Sequence, residues 1–191
     1  MSDTASIRDI LDFWFLPLND PGYGQKRELW WNSTPELDDE IRARFGALLG
    51  RAVAGALDHW AKSPDGALAL ILLCDQFSRH VHRRTARAFA GDAKALATAR
   101  VALARFYPAA YPVEMRTFFY MPFQHSEDLA DQHFCCTLFA GMGNDDYVKH
   151  AVEHRDIVAQ FGRFPHRNEA LGRASTAEEL NYLKTAKRFG Q

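Results

Sequence analysis

From Ala67 the chain reads ALALILLCDQFSRHVHR, apolar on nearly every face in its first two turns and carrying Asp75, Gln76, Arg79 and His80 in the next two. A segment that is apolar all round has to be buried all round, so the rest of the chain has to cover it. Ala and Leu dominate the run and β-branched residues are few, which favours a central helix over a strand. No sustained period-two alternation occurs elsewhere, so the expected architecture is all-α, helix packed on helix.

Flanking segments supply the cover. Ile7, Ile10, Leu11, Trp14 and Phe15 recur at helical spacing behind a Ser or Asp cap, and Pro17, Pro21, Gly22 and Gly24 end that helix. Ser33, Thr34 and Pro35, then Asp38 to Glu40, start a second helix expected to run to about Trp60. Further helices are expected over Gly91 to Tyr107, over Val113 to Gly141 with a break or kink at Pro122, and over Asp145 to Phe161. Ser175 with Glu178, or Thr176 with Glu179, makes a capping box for a last helix. Helices joined by such short loops pack as antiparallel neighbours, in a bundle or an α-solenoid of helix pairs. No fixed repeat of about 34 residues survives comparison along the chain.

With 191 residues, 47% of them hydrophobic and 25% charged, the chain fits one domain spanning 1–191. Lys and Arg total 23 against 24 Asp and Glu, a balance that argues against nucleic acid as a partner. The opening MSDTASIRDILDFWF lacks the basic start of a signal peptide, and no apolar run reaches the ~18 residues of a membrane span. A cytoplasmic protein with no membrane partner is expected. Cys74, Cys135 and Cys136 lie in apolar helical stretches without C-x-x-C spacing, and read as buried thiols.

Polar residues that helix formation does not require gather in three segments. In CDQFSRHVHR, Asp75 and Arg79 stand one turn apart on a face that also carries Leu68, Ile71 and Leu72. A carboxylate on such a face is expected to be paired, with Arg79 or with an arginine from another helix. In YMPFQHSEDLAD, Pro122 removes a backbone donor. The deformation either aims His125 and Glu127 into a cleft as catalytic, proton-moving groups, or leaves Ser126 to cap a new helix with Glu127 on its dipole. In QFGRFPHRNEALGR, Arg163, His166, Arg167, Asn168 and Arg173 gather around Gly162, Pro165 and Gly172. Guanidinium forks and loop amides suit a carboxylate or phosphate; equally, they can clasp the acidic residues of the other two segments.

The expected site therefore combines His125 and Glu127 as catalytic groups with Asp75, Arg79, Arg163, His166, Arg167 and Asn168 as ligand-binding groups, all converging in space. His150 and His154 are four apart but lack a third ligand in register, and a metal site would have to draw His125, Glu127 and His166 from separate segments. The arginines favour an anion over a divalent cation, so no metal is expected and no cofactor is indicated. Dinucleotide, P-loop and nucleophile-elbow glycine patterns do not occur.

DILDFWF, TARAFAGDAKAL, FFYMPFQHSEDLADQ and QFGRFPHRNEALGRASTAEE together resemble a family of bacterial and plant proteins, the domain of unknown function 924, along the full chain. Where that family usually reads D-Q-F-P-R-N this chain has DQFSRH: Asp75, Gln76 and Arg79 keep the pattern, whereas Ser78 and His80 depart from it. The resemblance implies a fold similar to the tetratricopeptide-repeat class, an α-solenoid of helix pairs, and it brings no reaction with it. Two functions stand as expectations: a site for a small anionic molecule, and a repeat-like module that binds a protein or peptide partner. A deep polar pocket with buried carboxylates distinguishes the first; an open groove lined by exposed aromatics distinguishes the second.

Overall fold

The apolar run at Ala67 forms the middle of the molecule. In a computed structural model, which describes residues 2–186, helix α3 (Pro64–Ile71) starts from Ser63, whose Oγ accepts from Gly66 N, and residues 66–71 are all buried. The expected 1–191 span also takes in Met1 and residues 187–191, which lie outside the described residues. Helices α1 (Asp3–Phe15), α5 (Asp92–Ala104) and α6 (Val113–Gln124) pack around α3, and α2 (Pro35–Val53) covers its continuation. Helix α7 (Leu129–Ala140) lies between α6 and α8 (Asp145–Phe161), and α9 (Ala177–Leu183) packs on a short turn at Pro165–Arg167. Among the described residues no strand forms, and no helix is long and apolar enough to cross a membrane. The chain is all-α.

Aromatic rings fill the core. Trp14, Phe15, Phe77 and Phe118 are fully buried, and Phe77 and Phe118 each meet Trp14 edge-on. Ile157, Val158 and Phe164 form a second, much smaller apolar cluster under the C-terminal loop.

Helix α3 does not stop at Ile71. Its backbone widens into a π-helical turn over Leu72–Phe77, where Ser78 N donates to Leu73 O five residues back, and tightens again into α4 (Ser78–Val81). The extra residue rotates α4 by about 100° relative to its place in an unbroken helix. Gly91, just ahead of α5, sits directly against this turn: a Cβ there would fall 2.4 Å from Cys74 O and 2.8 Å from Cys74 Cα. Gly91→Ala is accordingly expected to wedge α5 off the π turn and cost about 1–3 kcal/mol, seen as a lower melting temperature. An unchanged melting temperature would show that this close backbone approach is dispensable.

Three boundaries differ from expectation. Helix α2 ends at Val53, because Gly55 at φ 88° turns the chain, and a separate short helical turn, Asp58–Lys62, carries Trp60 inward. The stretch from Val113 divides after Pro122, since α6 runs through the proline to Gln124. Asp128 rather than Ser126 caps α7, its Oδ1 accepting from Ala130 N at 2.7 Å, while Ser126 Oγ donates to Asp131. Of the two candidate capping boxes, Thr176 with Glu179 forms.

Candidate functional site

Because the π turn re-aims the polar end of the central helix, Asp75 comes to lie under a cavity of about 860 Å³ bounded by α4, α6, α8 and the Pro165–Arg167 turn. Asp75 is 1% exposed. Its Oδ1 accepts from His125 Nδ1 at 2.6 Å and lies 3.1 Å from Arg79 Nη1, and Gln76 Nε2 donates to its other oxygen. Burial works to raise the Asp75 pKa, but the charges of His125 and Arg79 and these hydrogen bonds outweigh it and hold the carboxyl well below the usual range. For His125 the balance is reversed: burial lowers its pKa by more than Asp75 restores. At neutral pH the pair is a carboxylate and a neutral imidazole. With Nδ1–H held by Asp75, Nε2 has no partner among the described residues and is left for the cavity that His125 lines.

The network continues through Arg79, whose Nη1 and Nη2 donate to the two oxygens of Asp92 at 2.9 and 3.1 Å. Arg167 Nη1 donates to Asp92 Oδ2 at 3.3 Å, so charges alternate along Asp75, Arg79, Asp92 and Arg167. The Arg167 guanidinium is held between the rings of Phe89 and Phe164, 4.8 and 4.5 Å from their centroids. Its Nε is buried without a hydrogen-bond partner among the described residues. Burial first, then the charge of Arg79, lowers the Arg167 pKa to about 10, which leaves it cationic at neutral pH.

Neutral imidazoles line the rest of this end. His154 on α8 donates from Nδ1 to His150 O at 2.7 Å, and burial, reinforced by His125, lowers its pKa to about 3. Burial, reinforced by Arg167, takes His166 down to about 3 as well. His80 on α4 has its Nδ1 2.6 Å from Asp38 Oδ1, a carboxylate that also accepts from Arg83. Among the described residues lining the cavity, Asp146 is the only carboxylate, against the cations Lys26, Arg79, Arg83 and Arg167. Among the described residues, no three His, Cys, Asp or Glu side chains converge as metal ligands.

Residues 10–187 match the family described as bacterial protein of unknown function (DUF924). The chain belongs to this family. A solved structure of a protein of unknown function from Agrobacterium tumefaciens is similar to this DUF924 chain with a TM-score of 0.86 and 39% identity, covering 97% of this chain and 100% of that one. No curated protein matches it.

Of the residues expected to converge in this DUF924 protein, Asp75, Arg79, His125, His166 and Arg167 do so. Glu127, Arg163 and Asn168 do not line the cavity and make their contacts beside it. Glu127 accepts from both Arg173 Nη atoms at 2.7 and 3.0 Å and from Phe164 N at 2.8 Å. Burial opposes its ionisation, yet the Arg173 hydrogen bonds prevail and its pKa falls below the usual value. Arg163 donates to both Glu179 oxygens at 2.6 and 2.8 Å, which holds the Glu179 pKa down to about 2. Asn168 donates to Ser175 Oγ and accepts from Arg173 Nε. Together these contacts form a clasp that holds the Pro165–Arg167 turn against the cavity.

Asp92, His154 and Tyr147 line or support the site although sequence reasoning does not assign them to it. The i, i+4 spacing of His150 and His154 is the available signal for α8. Asp92 lies in TARAFAGDAKAL, a run that carries the family resemblance, but nothing in its local chemistry sets it apart from any acidic residue in a helix's first turn.

Proposed function

We propose that the cavity binds a small anionic molecule between Arg167 and Arg79, with the Asp75–His125 pair placed to move a proton to or from it. The observation that carries this reading is the pair of guanidiniums sharing Asp92 at the wall of a cavity whose other charged lining is mostly cationic. Asp75 and Asp92 balance the charges of Arg79 and Arg167, but the Arg167 Nε has no partner among the described residues and is a guanidinium donor left over for a ligand carboxylate or phosphate. A carboxylate on Nδ1 fixes the imidazole tautomer and leaves Nε2 basic, the arrangement general acid–base chemistry uses. The buried Asp75 carboxylate beneath the cavity favours this reading over a peptide-binding repeat surface.

A thermal-shift panel tests it. Phosphate, sulfate and simple carboxylates are expected to raise the melting temperature as each saturates the folded state, and Arg167→Gln is expected to abolish the rise. Stabilisation by divalent metals and by no anion, lost when His125 and His166 are both changed to alanine, would overturn the proposal and favour a metal site.

A further inference from the structure

The cavity is far larger than an inorganic anion, and its two ends differ in chemistry. Residues of α6 and α8 line two of its sides. At one end the Tyr147 hydroxyl on α8 donates to Glu114 in the first turn of α6; at the other, the rings of His154 and His125 lie 6.4 Å apart. Tyr147 and His154 are seven residues apart, so the ends are separated by about 10 Å along α8. The His154 end holds Arg167, Arg79 and His125. The Tyr147 end is aromatic: the Tyr147 ring lies 6.3 Å from Trp31 and 5.7 Å from Phe139, and Met121 lies along the wall of α6 that joins the two ends. Lys26 and Asp146 stand at this end too, and their opposite charges give it no net preference for an anion.

We infer that the natural ligand is an organic anion about 10 Å long, with its carboxylate or phosphate at Arg167 and Arg79 and an apolar or aromatic body against Trp31, Tyr147 and Phe139. The inference rests on the anion-binding reading and adds the ligand's other half. A cavity of about 860 Å³ falls in the range of organic-ligand sites, about 300–1,000 Å³, which are mostly apolar with a few placed polar groups. The aromatic wall is incomplete, because Trp31 remains 43% exposed beside it, so an apolar body has ring surface left to cover.

Isothermal titration of the full chain with inorganic phosphate, 1-naphthyl phosphate, 2-naphthoate and uncharged 2-naphthol tests it. The naphthyl anion with the better head group is expected to bind about tenfold or more tighter than inorganic phosphate, because ring burial adds to the head-group contacts. Whichever of phosphate ester and carboxylate binds tighter identifies the head group. Trp31→Ala, at a half-exposed position where folding is not at stake, is expected to remove much of the naphthyl advantage and leave phosphate binding as it was. Phosphate binding with no gain from either naphthyl anion would overturn this inference and leave the anion site standing. Binding of 2-naphthol as tight as that of the anions, or binding of none of the four, would overturn both.

Discussion

Asp75→Ala is expected to lower stability by about 3–5 kcal/mol, the usual cost of removing one member of a buried ion pair and leaving the other charged. Asp75 is the single acceptor for His125 Nδ1, and it shares neutralisation of Arg79 with Asp92. Without it, His125 keeps a buried donor with nothing to receive it, and Arg79 and Arg167 face each other across Asp92 alone. At about 2–4 °C per kcal/mol for a chain of this size, the melting temperature falls by roughly 6–20 °C. Asp75→Asn retains the volume and one acceptor oxygen, and is expected to fall between the parent and the alanine variant. A melting temperature unmoved by Asp75→Ala would mean that the carboxylate is solvated and the network around it loose.

Acidification from pH 7 to pH 4 is expected to destabilise the protein steeply, well before carboxylates titrate. His154 and His166 have folded pKa values of about 3, whereas imidazoles in an unfolded chain titrate near ~6.5. Between those values the unfolded state holds more protons than the folded one, so stability rises with pH across the window and is lost as pH falls. Each such group contributes about 1.4 kcal/mol per pH unit, so the two together give a slope near 3 kcal/mol per unit between about pH 6 and pH 4. The depressed Asp75 adds loss in the same direction only below about pH 4, its unfolded titration range. Urea midpoints measured at half-unit steps should fall along this course, and His154→Gln should roughly halve the slope across it. A midpoint constant from pH 7 to pH 5 would show these imidazoles to be protonated and solvated in the folded protein.

The all-α architecture and the buried central helix are legible in the sequence because both arise from local periodicity, which the chain carries at every turn. The pairing of Asp75 with Arg79 is legible for a related reason: a carboxylate on an apolar face has few options, and an arginine four residues on is one of them. The π turn is not legible, since it is a shift in backbone hydrogen-bond register with no side-chain signature, and it decides which way Asp75 faces. The roles of Glu127 and Arg163 escape sequence reasoning because arginine and carboxylate types alone do not distinguish a ligand clamp from an internal clasp. Their partners, Arg173 and Glu179, lie 46 and 16 residues away. Only the tertiary fold says which pairs have closed on each other and which group, like the Arg167 Nε, is left with a donor unused among the described residues.

The Pro165–Arg167 turn reaches the cavity from outside the main apolar core, resting on Ile157, Val158 and Phe164 and fastened by Arg163–Glu179 and Glu127–Arg173. A unit that buries so little apolar surface can detach at a free energy below that of global unfolding. When it detaches, Arg167 withdraws from Asp92 and one wall of the cavity goes with it. On the proposed reading, an anion spanning Arg79 and Arg167 would hold that wall in place while bound, and its release would be coupled to the opening of a turn held by two ion pairs and a three-residue cluster.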